Sequence, residues 1–435
     1  MSGVEIKQER GWKRYPTYKD SGVEWLGEIP EGWKMVRLKY VAPVSSVRLT
    51  QKPDHLPYLG LEHIESKTGR LLLDTPVENV ESTVSCFEKG DVLFGKLRPY
   101  LAKVFLAEFQ GVSTTELLAL KTSQEVNGKF LFYELIAEGF IDQVNSFTYG
   151  TKMPRVSPEQ ITSLFITLPP LSEQQAIARF LDRETAKIDT LIAKKERLIE
   201  LLKEKRTALI SHAVTKGLNP DAPMKDSGIE WLGKIPEGWK MIRLKYVAPV
   251  SSVKLTQKPD HLPYLGLEHI ESKTGRLLLD TPVENVESTV SCFEKGDVLF
   301  GKLRPYLAKV FLAEFQGVST TELLALKTSQ EVNGKFLFYQ LIAEGFINQV
   351  NSFTYGTKMP RVSPEQITSL FITLPPLSEQ QAIAQFLDRE TAKIDTLVTK
   401  TRISIDKLKE YRTALISAAV TGKIDIRENL TPSPN

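Results

Sequence analysis

The side chains in this sequence best suited to chemistry are cations and aromatic rings set around proline and glycine turns. Lys96, Arg98 and Lys103 alternate with Tyr100 about Pro99 in the run Lys96-Leu97-Arg98-Pro99-Tyr100-Leu101-Ala102-Lys103. Tyr149, Lys152 and Arg155 share a short loop with Gly150 and Pro154, and Arg48 and Lys52 precede Pro53 and Asp54. The chemistry these groups suit is non-covalent: hydrogen bonds and ion pairs to phosphate oxygens and base edges. Each set also has a plainer reading. The first serves equally as a strand-turn junction in which Tyr100 packs and Arg98 pairs with an acid such as Asp91. The second serves as a simple connection into the following strand.

Residues for bond-making chemistry are missing. The five histidines (His55, His63, His212, His261, His269) lack a clustered metal-ligand spacing, and Cys86 and Cys292 are read as two copies of one buried thiol. The sequence contains no G-x-x-x-x-G-K-[ST] phosphate loop, no glycine-rich strand-to-helix loop for S-adenosylmethionine and no Asn-Pro-Pro-Tyr-like element. Neither a catalytic residue, a metal nor a cofactor is expected. With 56 basic and 53 acidic residues the net charge is only +3, so a nucleic-acid reader must gather its cations on one face.

A shift of 206 residues lays Glu24-Trp25-Leu26-Gly27 over Glu230-Trp231-Leu232-Gly233 and organises the chain as a tandem duplication. Over Lys19 to Leu191, 173 positions, there are seven differences: Val23/Ile229, Glu28/Lys234, Val36/Ile242, Arg48/Lys254, Glu134/Gln340, Asp142/Asn348 and Arg179/Gln385. The candidate contacts therefore recur as Lys254, Lys258, Lys302, Arg304, Tyr306, Lys309, Tyr355, Lys358 and Arg361. Arg48 becoming Lys254 argues for phosphate contact or solvated surface there, because a bidentate guanine contact does not survive that change equally well. Residues that read bases are expected to be identical in the two copies.

Within each copy, short apolar runs (Val92 to Phe94, Lys103 to Leu106, Leu117 to Leu120, Leu164 to Leu168) alternate with turn signals at Lys67-Thr68-Gly69 and Glu88-Lys89-Gly90-Asp91, predicting strands. One helix is expected over Lys129 to Gln143. After Pro169-Pro170, Ser172 with Gln175 reads as an N-cap and capping box. From Glu173 to about Val214 a long helix is predicted, with Ile177, Leu181, Ile188, Leu191, Leu198, Leu202 and Leu209 on a seven-residue seam. At 1.5 Å per residue it would be roughly 60 Å long and would need a partner. Ile383, Leu387, Ile394, Leu397, Leu408 and Leu415 supply the same seam in the second copy. The short Gly217-Leu218-Asn219-Pro220 link makes an antiparallel helix pair the expected arrangement, with one module near each end. The exposed helix faces, such as Lys194-Lys195-Glu196-Arg197, read as solvated surface, with partner docking as the alternative.

Several segments resemble the signatures of type I restriction-modification specificity subunits, the HsdS family. They are Trp25-Leu26-Gly27-Glu28-Ile29-Pro30-Glu31-Gly32-Trp33, Gly90-Asp91-Val92-Leu93-Phe94, Leu97-Arg98-Pro99-Tyr100-Leu101, Gly150-Thr151-Lys152-Met153 and Leu168-Pro169-Pro170-Leu171-Ser172-Glu173-Gln174-Gln175. All recur in the second half. The resemblance implies an α+β fold: two similar mixed α/β target-recognition domains separated by two long antiparallel coiled-coil helices with pseudo-two-fold symmetry. The expected boundaries are 1–170, first recognition domain; 171–217, central spacer helix; 218–376, second recognition domain; 377–422, distal spacer helix; and 423–435, tail. The implied partners are double-stranded DNA, two adenine-methyltransferase subunits and ATP-dependent motor-nuclease (restriction) subunits. Such subunits commonly carry two different recognition domains, whereas these two are almost the same, so a palindromic bipartite site is expected.

Two other readings stay open on sequence: an enzyme acting alone, disfavoured by the missing motifs, and a stand-alone coiled-coil DNA-binding regulator. The start Met1-Ser2-Gly3-Val4-Glu5-Ile6-Lys7 lacks the apolar core of a secretory signal, and the longest apolar runs are far shorter than the roughly 20 residues of a membrane helix. A cytoplasmic protein without membrane attachment is expected.

Overall fold

The computed structural model describes residues 12–72, 82–278 and 288–427. The Met1–Lys7 segment and most of the expected 423–435 tail lie outside them. The chain divides into two units, 1–195 with 403–435, and 196–402. Each unit thus combines a globular module with the first part of one long helix and the last part of the other, or the converse.

Unit 1 opens with β1 (Tyr18–Asp20), β2 (Glu28–Pro30), β3 (Lys34–Arg37) and the single turn α1 (Leu38–Val41). Next come β4 (Arg48–Leu49), β5 (Tyr58–Leu59), β6 (Val84–Phe87), β7 (Val92–Gly95), β8 (Val104–Leu106), β9 (Gly111–Thr114) and β10 (Leu117–Leu120). Helices α2 (Gly128–Ile136), α3 (Glu138–Ser146) and α4 (Pro158–Ser163), then β11 (Phe165–Leu168), lead into the long α5 (Leu171–Lys216). Two sheets dominate: an antiparallel one ordered β10-β7-β8, and a mixed one ordered β4-β6-β9-β5 in which β5 runs parallel to β9. Strand β11 pairs with β3 and brings the chain back beside its start.

The apolar runs of β7 and β10 are continuous because both faces of their sheet are covered, and the pleat sends alternate residues to opposite sides. Val92, Phe94, Leu118 and Leu120 join a large core with Trp33, Phe130 and Phe140. Leu93, Leu117 and Ala119 join a smaller one with Phe87 and Phe105. Unit 2 repeats these elements 206 residues on, with helices α6 (Leu244–Val247), α7 (Gly334–Ile342), α8 (Glu344–Ser352), α9 (Pro364–Ser369) and α10 (Leu377–Val420).

Three expectations need correction. The single helix over Lys129 to Gln143 is two, α2 and α3, broken at Ala137, whose ψ of 138° is extended. The break turns α3 under Trp25, and Gly139 makes room for it: a Cβ there would stand 2.2 Å from the Trp25 ring. Ser172 is not an N-cap, since α5 already begins at Leu171. Its first amides, those of Glu173 and Gln174, donate to the Pro170 carbonyl at 2.9 and 3.0 Å. Capping residues do appear elsewhere: Asn127 accepts from the amides of Lys129 and Phe130, and Ser157 with Gln160 forms a capping box on α4. The two cysteines, lastly, are partly exposed rather than buried.

The expected seam of the long helices holds at Ile177, Leu181, Ile188, Ile383, Leu387, Ile394 and Leu415, which are buried, and fails at its remaining positions. Leu191, Leu198 and Leu397 are exposed, and Leu202, Leu209 and Leu408 are half-buried. Burial follows an eleven-residue step through Ile177, Ile188, Ile199 and Ile210 in α5, and through Ile383, Ile394, Ile405 and Ile416 in α10. The physical reason is helical pitch: positions seven apart drift about 20° per step on a straight helix and leave the buried face. An eleven-residue step, 3.67 residues per turn, follows the face with less drift per residue.

Each long helix is tied to its module by polar groups. Gln174, fully buried, donates to the carbonyls of Glu125 and Pro169 and accepts from the Asn127 amide; Gln380 does the same in unit 2. In unit 1 the opening turns of α5 and the closing turns of α10 share the large core and run antiparallel, with Asp189 of α5 paired to Arg412 of α10 at 3.0 Å. In unit 2 Arg206 of α5 meets Asp395 of α10 at 3.3 Å. The same contact is thus made in both units with the roles of the helices exchanged.

Candidate nucleic-acid interface

The two loop segments singled out by sequence, 96–103 and 148–155, lie side by side in the folded module. The Arg98 amide donates to the Pro154 carbonyl at 2.7 Å, and the Val156 amide to the Lys96 carbonyl at 3.3 Å. Tyr149 and Arg155 exchange two backbone hydrogen bonds of 2.9 Å. A third segment completes the platform, because the Lys96 amide donates to the carbonyl of Glu116 in the β9–β10 turn at 2.9 Å. Three stretches distant in sequence are therefore laced by main-chain bonds at the edge of the β10-β7-β8 sheet.

The turn carrying Arg98 is strained. Arg98 and Ala102, at either end of the single 3-10 turn Pro99–Leu101, have φ of +49° and +46°. A non-glycine residue in this left-handed region costs about 1 kcal/mol or more. What Arg98 contributes in return is a long side chain whose Nη2 lies 3.4 Å from the Lys152 carbonyl, bracing the neighbouring loop. Its alternative partner Asp91 is engaged otherwise, accepting from the Glu88 amide at 2.8 Å within the turn. Burial raises the Asp91 carboxyl above its ordinary range, against the pull of that amide and Lys121.

Tyr100 and Tyr149 stand out from the platform, 48% and 61% exposed, and Met153 beside them is also exposed. Tyr100 is accordingly not the packed ring of the plainer reading. The Arg155 guanidinium meets the Glu116 carboxylate at 3.3 Å, and Arg361 meets Glu322 at 3.1 Å. Arg48, on β4 opposite Ser85, and Lys152 make no side-chain hydrogen bond or ion pair to the described residues. In unit 2, Lys302 feels Glu322, Lys254, Arg361 and Glu365; burial lowers its amine below the ordinary lysine range, and Glu322 works against this. Lys254 and Arg361 therefore lie near Lys302.

Two sequence candidates stand apart. The Lys103 amine donates to the Leu61 carbonyl at 2.6 Å and is half-buried, and that burial lowers its affinity for a proton. Lys309 is held the same way by Leu267. Lys52 reaches only the carbonyl of its neighbour Pro53, as Lys258 does Pro259. Each of these amines thus spends one donor within its own module.

Sequence reasoning missed Glu116 and Glu322, since a glutamate in a cationic site invites no attention. The available signal was the polar run Ser113-Thr114-Thr115-Glu116 between two apolar strands, which marks a turn at a sheet edge. It also missed Tyr40 and Tyr246, exposed beside the amines of Lys39 and Lys245 at 5.2 and 5.1 Å from the ring centres. Among the described residues no group of three or more His, Cys, Asp or Glu could hold a metal, and no helix is long and apolar enough to cross a membrane.

The whole chain resembles known proteins in the same order of parts. The profile of the type I restriction modification DNA specificity domain matches twice, over residues 30–201 and 236–407. The MjaVIII specificity subunit of Methanocaldococcus jannaschii is 25% identical over 92% of this chain and 94% of its own length. The EcoDI specificity subunit of Escherichia coli is 24% identical over 92% and 90%. A solved chain from a study of assembly and conformational transition in the type I R-M system covers 90% of this chain and 98% of its own. Its TM-score is 0.68 at 19% identity, a likeness of fold. With both copies matched, the chain belongs to the type I restriction-modification DNA specificity family and is a recognition component rather than a catalytic one.

Proposed function

We propose that this protein reads a bipartite, palindromic DNA site and positions adenine-methyltransferase and restriction subunits on it. The observation that carries the reading is the duplication: each unit presents the same platform of Arg98, Tyr100, Tyr149, Lys152 and Arg155, or Arg304, Tyr306, Tyr355, Lys358 and Arg361. Lys152 and Lys358, with Arg48 and Lys254, serve phosphates. Long solvated cations suffice for that task and carry no sequence information.

Identical readers related by translation along DNA would select a direct repeat; related by a two-fold axis they select an inverted one. The antiparallel helix pair expected from the short Gly217–Pro220 link favours the second arrangement. The site is then a short half-site, an unread spacer and the reverse complement of the half-site. A helix of 46 residues, roughly 69 Å long, corresponds to about 20 base pairs, which bounds the length of the whole. Each methyltransferase meets an equivalent adenine, one per strand. The domains act as 1–170 and 218–376 for reading, with 171–217 and 377–422 for spacing.

Mapping N6-methyladenine across a genome carrying this chain with its methyltransferase tests the reading. An inverted bipartite motif is the expected result. A direct repeat, or two unrelated halves, would overturn it.

A further inference from the structure

We propose that Arg155 and Arg361, aimed by Glu116 and Glu322, read a guanine at one fixed position of each half-site. This rests on the DNA-reading function above and names the side chains that discriminate between bases.

Reading a base edge and gripping a phosphate make different demands. A phosphate contact needs charge and reach, whereas a guanine contact needs a guanidinium fork fixed in direction, so that two N–H groups meet O6 and N7 together. Side chains on strands or laced backbone hold such geometry better than those on loop tips. Among the cations of the platform Arg155, with its copy Arg361, is the one ion-paired to a carboxylate among the described residues. Its amide and carbonyl both bond to Tyr149, and it faces Leu97 across a β-bridge. Its side chain is 48% exposed, and the carboxylate of Glu116, only 27% exposed, holds one terminal nitrogen at 3.3 Å. The remaining N–H donors are open to a ligand.

The other cations fail on particular grounds. Lys152 lies in a bend with no partner fixing its amine. Arg98 is turned toward the Lys152 carbonyl. Arg48 is lysine in the second copy, so it lacks a fork in one of two sites that must read alike.

The ion pair is not needed to hold the loop. Main-chain bonds already join the three segments, and an exposed ion pair adds at most about 1 kcal/mol. What it adds is a half-shielded carboxylate 3.3 Å from one terminal nitrogen, which biases the guanidinium toward that side of the loop. Glu116 is therefore a positioning residue.

The test uses the full chain with its methyltransferase, comparing wild type with R155K/R361K, E116Q/E322Q and K152A/K358A. The readouts are methylome motifs in cells and binding to oligonucleotides substituted at each position. Both the R155K/R361K and E116Q/E322Q proteins should lose roughly 5- to 150-fold of discrimination at one G·C position per half-site, the span set by about 1–3 kcal/mol for a bidentate pair. Every other position should keep its preference. K152A/K358A should lower affinity evenly with the motif unchanged, and circular dichroism confirms folding of each protein. An unchanged motif in R155K/R361K with affinity lowered evenly overturns the inference, and so does relaxation at an A·T position. If the wild-type chain itself yields no bipartite motif, the DNA-reading function has failed instead.

Discussion

The substitution Glu134→Gln should make the protein more stable as pH rises, although it removes a buried charge-bearing group from the junction of module and helix. Glu134 is fully buried on α2, with Oε1 accepting from the Thr167 amide at 3.0 Å. Its Oε2 lies 3.2 Å from the Thr167 hydroxyl, which is 2.7 Å from the carbonyl of Val420 at the end of α10. That hydroxyl has one proton, and the shorter contact gives it to Val420, which leaves the hydroxyl oxygen free to accept from a protonated Oε2. The second copy shows the arrangement with a permanent donor. There the Gln340 amide nitrogen donates to Thr373 at 2.5 Å, and Thr373 donates to Val214 at 2.7 Å.

Burial pushes the Glu134 carboxyl up to about 8 from an ordinary value of 4.5, with the Thr167 amide pulling down. A group whose folded value is raised contributes its full stability below the unfolded value and loses it as pH climbs toward the folded one. From pH 4.5 to about 8 the loss reaches a ceiling of about 5 kcal/mol, at 1.36 kcal/mol per pH unit. Glutamine escapes that loss but leaves its carbonyl oxygen unpaired, as Gln340 Oε1 is, at about 1–3 kcal/mol. E134Q should therefore be no more stable than wild type near pH 5 and more stable by a few kcal/mol at pH 8.5. Melting curves of the full chain at pH 5, 7 and 8.5 read this as a difference of several degrees that grows with pH. A difference constant across that range would refute a protonated Glu134.

Two further outcomes follow from the geometry. K152A/K358A should lower DNA affinity and reduce the slope of log K against log salt by about 2, one phosphate contact per copy, in a salt titration; an unchanged slope would place this loop away from DNA. Deleting Ala193–Lys203 together with Thr399–Lys409 removes one eleven-residue step from each helix while keeping Asp189, Arg206, Asp395 and Arg412. This protein should fold, and its unread gap should shorten by about 16 Å, near five base pairs, as methylome mapping would show. Retention of the original gap would refute spacing by the helices.

The sequence by itself determined the duplication, several of the strands, the two long helices and the lack of recognisable catalytic motifs. All of these rest on local pattern or direct comparison of the halves. Leu117 to Leu120 and Val92 to Phe94 read as strands from their apolar runs, and the structure shows why the runs are unbroken: their sheet is buried on both faces. The break at Ala137 was not visible, because it answers to Trp25, more than a hundred residues away. The seven-residue reading of the helices matched leucines by spacing, but pitch and partner select the isoleucines eleven apart. Segments 96–103 and 148–155 were each suggestive alone, yet only the tertiary structure joined them and removed Lys103 from the group. It also supplied Glu116, because a long-range backbone register, not local composition, decides which side chains share a surface.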